Sequence, residues 1–183
     1  MSAVIGIHDG HNASVALVRN GKVELALQEE RFTRVKNQGD APLSAAALAL
    51  RLADGTGVRI ALNGRYMNYG QWQHDRILRD YERCSALGSR LKQTLKESAA
   101  DRWYQARKAR IRENGLSRLG LDRQQMVPVE HHLAHASAAY HTCPWPDEKV
   151  LVLTCDGAGD RLSATVSIGE AGRLTRIAEV SEQ

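Results

Sequence analysis

No stretch of this 183-residue sequence stays apolar over the roughly 18 residues that a membrane-spanning helix needs. A basic leader is also missing. Met1-Ser-Ala-Val-Ile-Gly-Ile runs straight into His8-Asp9, so the N-terminus does not read as a secretory signal. Cysteine is scarce: Cys84, Cys143 and Cys155 are odd in number and sit at no ligand spacing. That argues against a disulfide scaffold and a cysteine-type zinc site, and points to a reducing cytoplasm. There is no low-complexity segment. With 43% hydrophobic and 25% charged residues, the composition is that of a folded chain. The length suffices for one core, or for a piece of something larger.

The net charge of +4 is unevenly spread. Residues 71–120 hold 12 Lys/Arg against 6 Asp/Glu, and the rest of the chain holds 13 against 15. The basic character therefore belongs to one segment. Two readings stay open: a solvated helical surface, or a surface for a phosphate-rich partner. Little aromatic interleaving and no nucleic-acid motif argue against nucleic acid.

Along the chain, residues 3–8 are short, apolar and β-branched, and predict a buried strand stopped by Asp9-Gly10. Residues 13–19 predict a second strand. Asn20-Gly21 then predicts a type I′ hairpin, because that turn needs positive φ at both central residues. Residues 22–28 alternate as a half-buried third strand does. An Ala/Leu-rich helix is expected over 43–54, a strand over 58–63, and an amphipathic basic helical insert over much of 71–120. Residues 126–129 predict a strand and 131–141 a helix entered after Glu130. Strands over 149–155, 162–168 and 174–180 follow. The second meander restarts the pattern of the first, an internal repeat as it begins.

Of seven histidines, four lie in 131–141 and two in 8–11. His131 and His135 are four apart and would project from one helix face. Such a pair is either ordinary helix-face histidine or half of a metal site. Asp156 shifts the balance toward metal. It closes the strand ahead of Gly157, Gly159 and Asp160, and a carboxylate there faces a crevice in an α/β sheet. Two imidazoles and a carboxylate form a transition-metal set with positions left open. The glycine-rich turn can also bring backbone N–H groups to a phosphate. Residues 28–37 place Arg31, Arg34 and Lys36 within six residues, either a solvated loop or a clamp on an anion.

Four segments together resemble a known family. They are Gly6-Ile-His-Asp-Gly-His-Asn-Ala-Ser14, Gln28-Glu-Glu-Arg-Phe-Thr-Arg34 with Lys36-Asn37, Glu130-His-His-Leu-Ala-His-Ala136 and Leu153-Thr-Cys-Asp-Gly-Ala-Gly-Asp160. In this order they resemble the N-terminus of the NodU/CmcH-type O-carbamoyltransferases. The resemblance covers residues 3–168, and the basic insert carries none of it. It implies an α/β, ribonuclease-H-like lobe of the actin/sugar-kinase/Hsp70 superfamily with a mixed sheet. The lobe would occupy 1–147, including the helical insert at about 71–120. The first β-meander of a second, incomplete lobe would occupy 148–183.

The resemblance also implies chemistry. In this family a C-terminal domain makes carbamoyl adenylate from carbamoyl phosphate and ATP. The kinase-like domain then moves the carbamoyl group to a hydroxyl of a small-molecule or natural-product acceptor. Carried onto this chain, His131, His135 and Asp156 would hold a divalent metal, Fe²⁺ first and Zn²⁺ or Mn²⁺ as alternatives. A further family aspartate would lie beyond Gln183. His11 and Asp9 would be catalytic. Asn12, Arg34, Lys36, Gly157 and Gly159 would bind substrate or nucleotide. A histidine with an ordinary pKa of about 6.5 suits removal of the acceptor's proton. A cation such as Lys36 offsets charge on the leaving AMP.

Family members run to several hundred residues, so this chain is expected to be an N-terminal portion or split subunit. It would need the missing C-terminal polypeptide, in cis or in trans, to complete catalysis. Its uncovered meander is expected to expose an apolar face. Three rivals remain. A sugar-kinase-like phosphotransferase would lack the His-x-x-x-His pair. A hydrogenase-maturation-type carbamoyltransferase usually carries further domains upstream. A non-catalytic binding module would work through the basic insert.

Overall fold

The structure is a computed structural model. It describes residues 3–10, 12–54, 57–64, 103, 106–107, 110, 113–115, 117–121, 126–145 and 147–181. These fall into two compact units. The first holds the described residues of 1–63 and 106–129, the second those of 64–105 and 130–183.

The first unit is built on a five-stranded mixed sheet in the order β3-β2-β1-β4-β5. Its strands are β1 (Ala3–His8), β2 (Ser14–Arg19), β3 (Lys22–Gln28), β4 (Val58–Asn63) and β5 (Met126–Val129). The β1, β2 and β3 strands form an antiparallel meander, while β4 pairs in parallel with both β1 and β5. Asn20 and Gly21 have φ of 51° and 76°, as the hairpin signal requires. Alternation puts Ile5, Ile7, Val15 and Leu17 on the buried side.

This unit also holds α1 (Glu30–Thr33) and α2 (Leu43–Leu52). Ala45, Ala46 and Ala49 of α2 are fully buried in the core with Ile5, Leu17 and Ile60. Side chains this small let the helix axis approach the sheet closely. Pro42 at the N-cap offers no side-chain bond. The buried Glu29 takes that role from 15 residues away, its two oxygens accepting from Ser44 N at 2.9 Å and Ala45 N at 2.8 Å. A carboxylate at a helix N-terminus satisfies orphan donors and opposes the helix dipole.

The second unit holds α3 (His131–His141) and an antiparallel sheet of β6 (Val150–Gly159), β7 (Leu162–Glu170) and β8 (Arg173–Ser181). The α3 residues Ala136 and Tyr140 pack on Val152, flanked by Cys143, Val150 and Leu174. The division expected at about 147 places this helix in the first lobe. Here its buried face, His132, Ala136 and Tyr140, lies against β6 and β7, so it groups with the second sheet. On the sheet's other side Leu151 and Leu153 are exposed.

The glycine-rich stretch after Cys155 also differs from expectation. Rather than ending there, β6 continues to Gly159, with its register against β7 shifting between Cys155 and Gly159. Glycine suits such an irregularity because it has no Cβ to place. Most of the segment expected as a helical insert lies outside the described residues, and its described positions 113–115 are helical. Among the described residues, no helix is long and apolar enough to cross a membrane.

Candidate functional site

The N-terminus of α3 is fixed by two carboxylates. Glu130 accepts from His132 N at 2.8 Å and Leu133 N at 2.7 Å, and Asp160 Oδ2 accepts from His131 N at 2.8 Å. Three of the four donors that a helix start leaves orphaned are thereby satisfied. Glu130 is 3% exposed, and Arg176 pairs with it while also bonding Glu179 at 3.0 Å. Burying a carboxylate is tolerable here because it is both hydrogen-bonded and paired.

From this anchored start His131 and His135 project one turn apart. Their Nε2 atoms are 3.1 Å apart. Asp156 Oδ2 lies 2.7 Å from His131 Nε2 and 3.4 Å from His135 Nε2. His131 is largely buried, its side chain 16% exposed, whereas His135 and Asp156 are 51% and 41% exposed. One side of the cluster is therefore open. Gly159 makes room for it: a Cβ there would lie 2.1 Å from Cδ2 of His131.

These distances can be tested against a metal ion. Each of the three atoms offers a lone pair toward the others, a repulsive arrangement unless a proton or a cation sits among them. The circle through the three atoms has a radius of about 1.8 Å, a little less than the metal–ligand distance of about 2.1 Å for nitrogen or oxygen. A single divalent ion would be within reach of all three atoms. The donor set fits a divalent transition metal.

The remaining expected residues fall as follows. Gly157 lies within β6. Asp9, Asn12, Arg34 and Lys36 belong to the first unit. His8 Nδ1 accepts from Asn63 Nδ2 at 3.1 Å at the C-terminal ends of β1 and β4, just before Asp9. Asn12 and Arg34 both have positive φ, 60° and 63°. Arg34 and Lys36 are exposed, on a loop that Glu30 Oε2 ties down by accepting from Asn37 N at 2.9 Å. His11 lies outside the described residues.

Sequence reasoning passed over four residues here. Glu130 and Asp160 were read only as helix entry and turn. Buried His132 and distant Arg176 carried no motif of their own. An acidic residue just before a helix start is the one available signal.

The comparisons with known proteins agree with the motifs. The family model described as carbamoyltransferase N-terminus matches residues 3–182. The uncharacterized protein sll1178 of Synechocystis is 27% identical over 184 residues, 96% of this chain and 28% of its own length. The nodulation protein NolNO of Sinorhizobium fredii is 27% identical over 174 residues, 94% of this chain and 23% of its own. The chain thus spans about a quarter of the length of these curated relatives. Among solved structures, the Aquifex aeolicus PPX-GPPA enzyme is similar over 99% of this chain and 52% of that one, at 14% identity. The TM-score is 0.44. A family match over residues 3–182, nearly the whole chain, makes this chain a member of the carbamoyltransferase N-terminus family.

Proposed function

We propose that the chain is the N-terminal part of an O-carbamoyltransferase that moves a carbamoyl group from carbamoyl adenylate, formed from carbamoyl phosphate and ATP, to an acceptor hydroxyl. The observation that carries this reading is the convergence of His131, His135 and Asp156 in a chain of this family. The strand order β3-β2-β1-β4-β5, with parallel β1, β4 and β5, supports an actin/sugar-kinase/Hsp70-like lobe.

His131, His135 and Asp156 hold a divalent cation, Fe²⁺ first among the candidates. When bound, that ion supplies Lewis-acid polarisation of a carbonyl or a hold on phosphate oxygens. The exposed flanks of His135 and Asp156 leave the approach to the cluster open. His11 takes the proton of the attacking hydroxyl, with Asp9 and Asn12 on the same loop. Arg34 and Lys36 are exposed cations suited to the charge that develops on the leaving phosphate. Gly157 and Gly159 offer backbone N–H groups to a substrate or nucleotide phosphate. The complete reaction uses the C-terminal polypeptide, in cis or in trans.

Two measurements test the reading. Metal analysis after anaerobic purification should find stoichiometric iron or another divalent ion, lost in His135→Ala. Carbamoyl transfer from carbamoyl phosphate and ATP should appear when the C-terminal polypeptide is supplied, and should fail with His131→Ala. A metal-free protein that transfers carbamoyl groups undiminished would sink the metal assignment. Full metal occupancy without any transfer, to any of a panel of alcohols, would sink the reaction.

A further inference from the structure

Two of the three converging side chains stand on α3 and the third on β6, so the cluster exists only if helix and strand keep one register. We propose that His132 is a positioning residue which, through Thr154 and Thr165, sets that register. The inference rests on the metal reading above.

His132 is fully buried, and Thr154 and Thr165 are 8% and 2% exposed. Its Nε2 lies 3.0 Å from the carbonyl oxygen of Leu162, and its Nδ1 lies 2.8 Å from Thr154 Oγ1. A carbonyl only accepts, so Nε2 carries the proton. In the neutral ring Nδ1 is then an acceptor, and the Thr154 hydroxyl must donate to it. The lone pairs of Thr154 Oγ1 take the Thr165 backbone N–H at 3.1 Å and the Thr165 hydroxyl at 2.7 Å. Each group has one role, and a single arrangement satisfies them all.

The placement gives this network its purpose. His132 follows His131 directly, and Thr154 precedes Asp156 by two residues on β6. Apolar packing alone fixes α3 weakly, because its buried hydrophobics are only Ala136 and Tyr140. A slip of the helix against the strand would leave a buried imidazole and two buried hydroxyls without partners, which a dry interior penalises. The network therefore converts the spacing of two elements into the spacing of three side chains.

The test uses Co²⁺ as the probe on the full 183-residue chain. Its visible absorption bands report the number and geometry of ligands. Thr154→Val keeps the shape and removes the hydroxyl, and should weaken Co²⁺ binding about 10- to 100-fold, with shifted bands. Thr154→Ser keeps the hydroxyl and should return both affinity and bands to wild type. Thr165→Val removes only the outer donor and should weaken binding in the same direction. It answers the question if Thr154→Val does not fold. Wild-type affinity and bands in the valine variants would overturn the inference, as would Thr154→Ser behaving like Thr154→Val. A wild-type protein without Co²⁺ bands would overturn the metal reading first, and this inference with it.

Discussion

Gly159 packs so closely against His131 that a Cβ built on it would stand 2.1 Å from Cδ2, 2.3 Å from Cγ and 2.7 Å from Nε2 of that ring. Something must shift to admit that Cβ, and the ring it meets is the one whose Nε2 lies 2.7 Å from Asp156 Oδ2. Gly159→Ala should therefore cost metal affinity more than it costs folding, with binding falling at least about tenfold. Gly169 offers the control. A Cβ there would meet the ring of Tyr140 at 2.4 Å, within the same unit but away from the cluster. Gly169→Ala should lower the thermal midpoint by overpacking, at about 1–3 kcal/mol, and retain metal. Isothermal titration with a divalent ion, paired with melting of the metal-free variants, checks both.

How much of this was legible beforehand depended on the range of the interactions. The strands over 3–8, 22–28, 58–63 and 126–129 and the helix over 131–141 could be read from local pattern, because alternation and β-branching act over a few residues. Asn20-Gly21 could be read for the same reason. Asp160-Arg161 and Ala171-Gly172 also place both turn residues at positive φ, without so clear a dipeptide. The short α1 was hidden in a charged run, since Glu29 turns inward to cap α2 instead of facing solvent.

The candidate site divided in the same way. His131 and His135 share a helix, so spacing alone joins them. Asp156 stood out only as a carboxylate closing a strand ahead of glycines, and its strand runs on where a turn was expected. His132, Thr154 and Thr165 could not be linked in advance. Thr154 stands opposite Thr165 only through the β6–β7 register, which no local pattern states.

Glu29 supplies a prediction for the first unit. Both its oxygens are committed to backbone donors of α2, at Ser44 and Ala45. Glu29→Gln keeps the size but turns one acceptor into a donor facing an N–H. The expected loss is about 1–2 kcal/mol, in the range of helix-cap deletions and buried unsatisfied donors. Denaturant unfolding should show a lower midpoint with unchanged slope. An unaltered midpoint would mean that α2 is not capped from Glu29.

Tyr140 ties the far end of α3 to the β7–β8 turn, its hydroxyl oxygen accepting from Gly172 N at 3.0 Å. Tyr140→Phe leaves the ring packed and removes that acceptor. The expected cost is about 0.5–1.5 kcal/mol. Hydrogen exchange should speed up at the Gly172 amide more than at the α3 amides near His131. Uniform acceleration across the unit would show that the bond stabilises the whole unit instead of holding the turn.

Metal removal provides the last prediction, and it separates a metal cluster from a proton-sharing one. If His131, His135 and Asp156 bind an ion only in the folded state, the ion stabilises by mass action. At a free concentration of about 100 times Kd the gain is about 2.7 kcal/mol. Adding Co²⁺ to chelator-treated protein should therefore raise the melting temperature by several degrees, and EDTA should reverse it. His135→Ala removes a half-exposed side chain that lies outside the buried hydrophobic cluster, so the metal-free melt should barely move. The metal-dependent rise should vanish in that variant. A rise that persists in His135→Ala places the ion elsewhere. A wild-type protein that shows no rise holds its three side chains together by a shared proton alone.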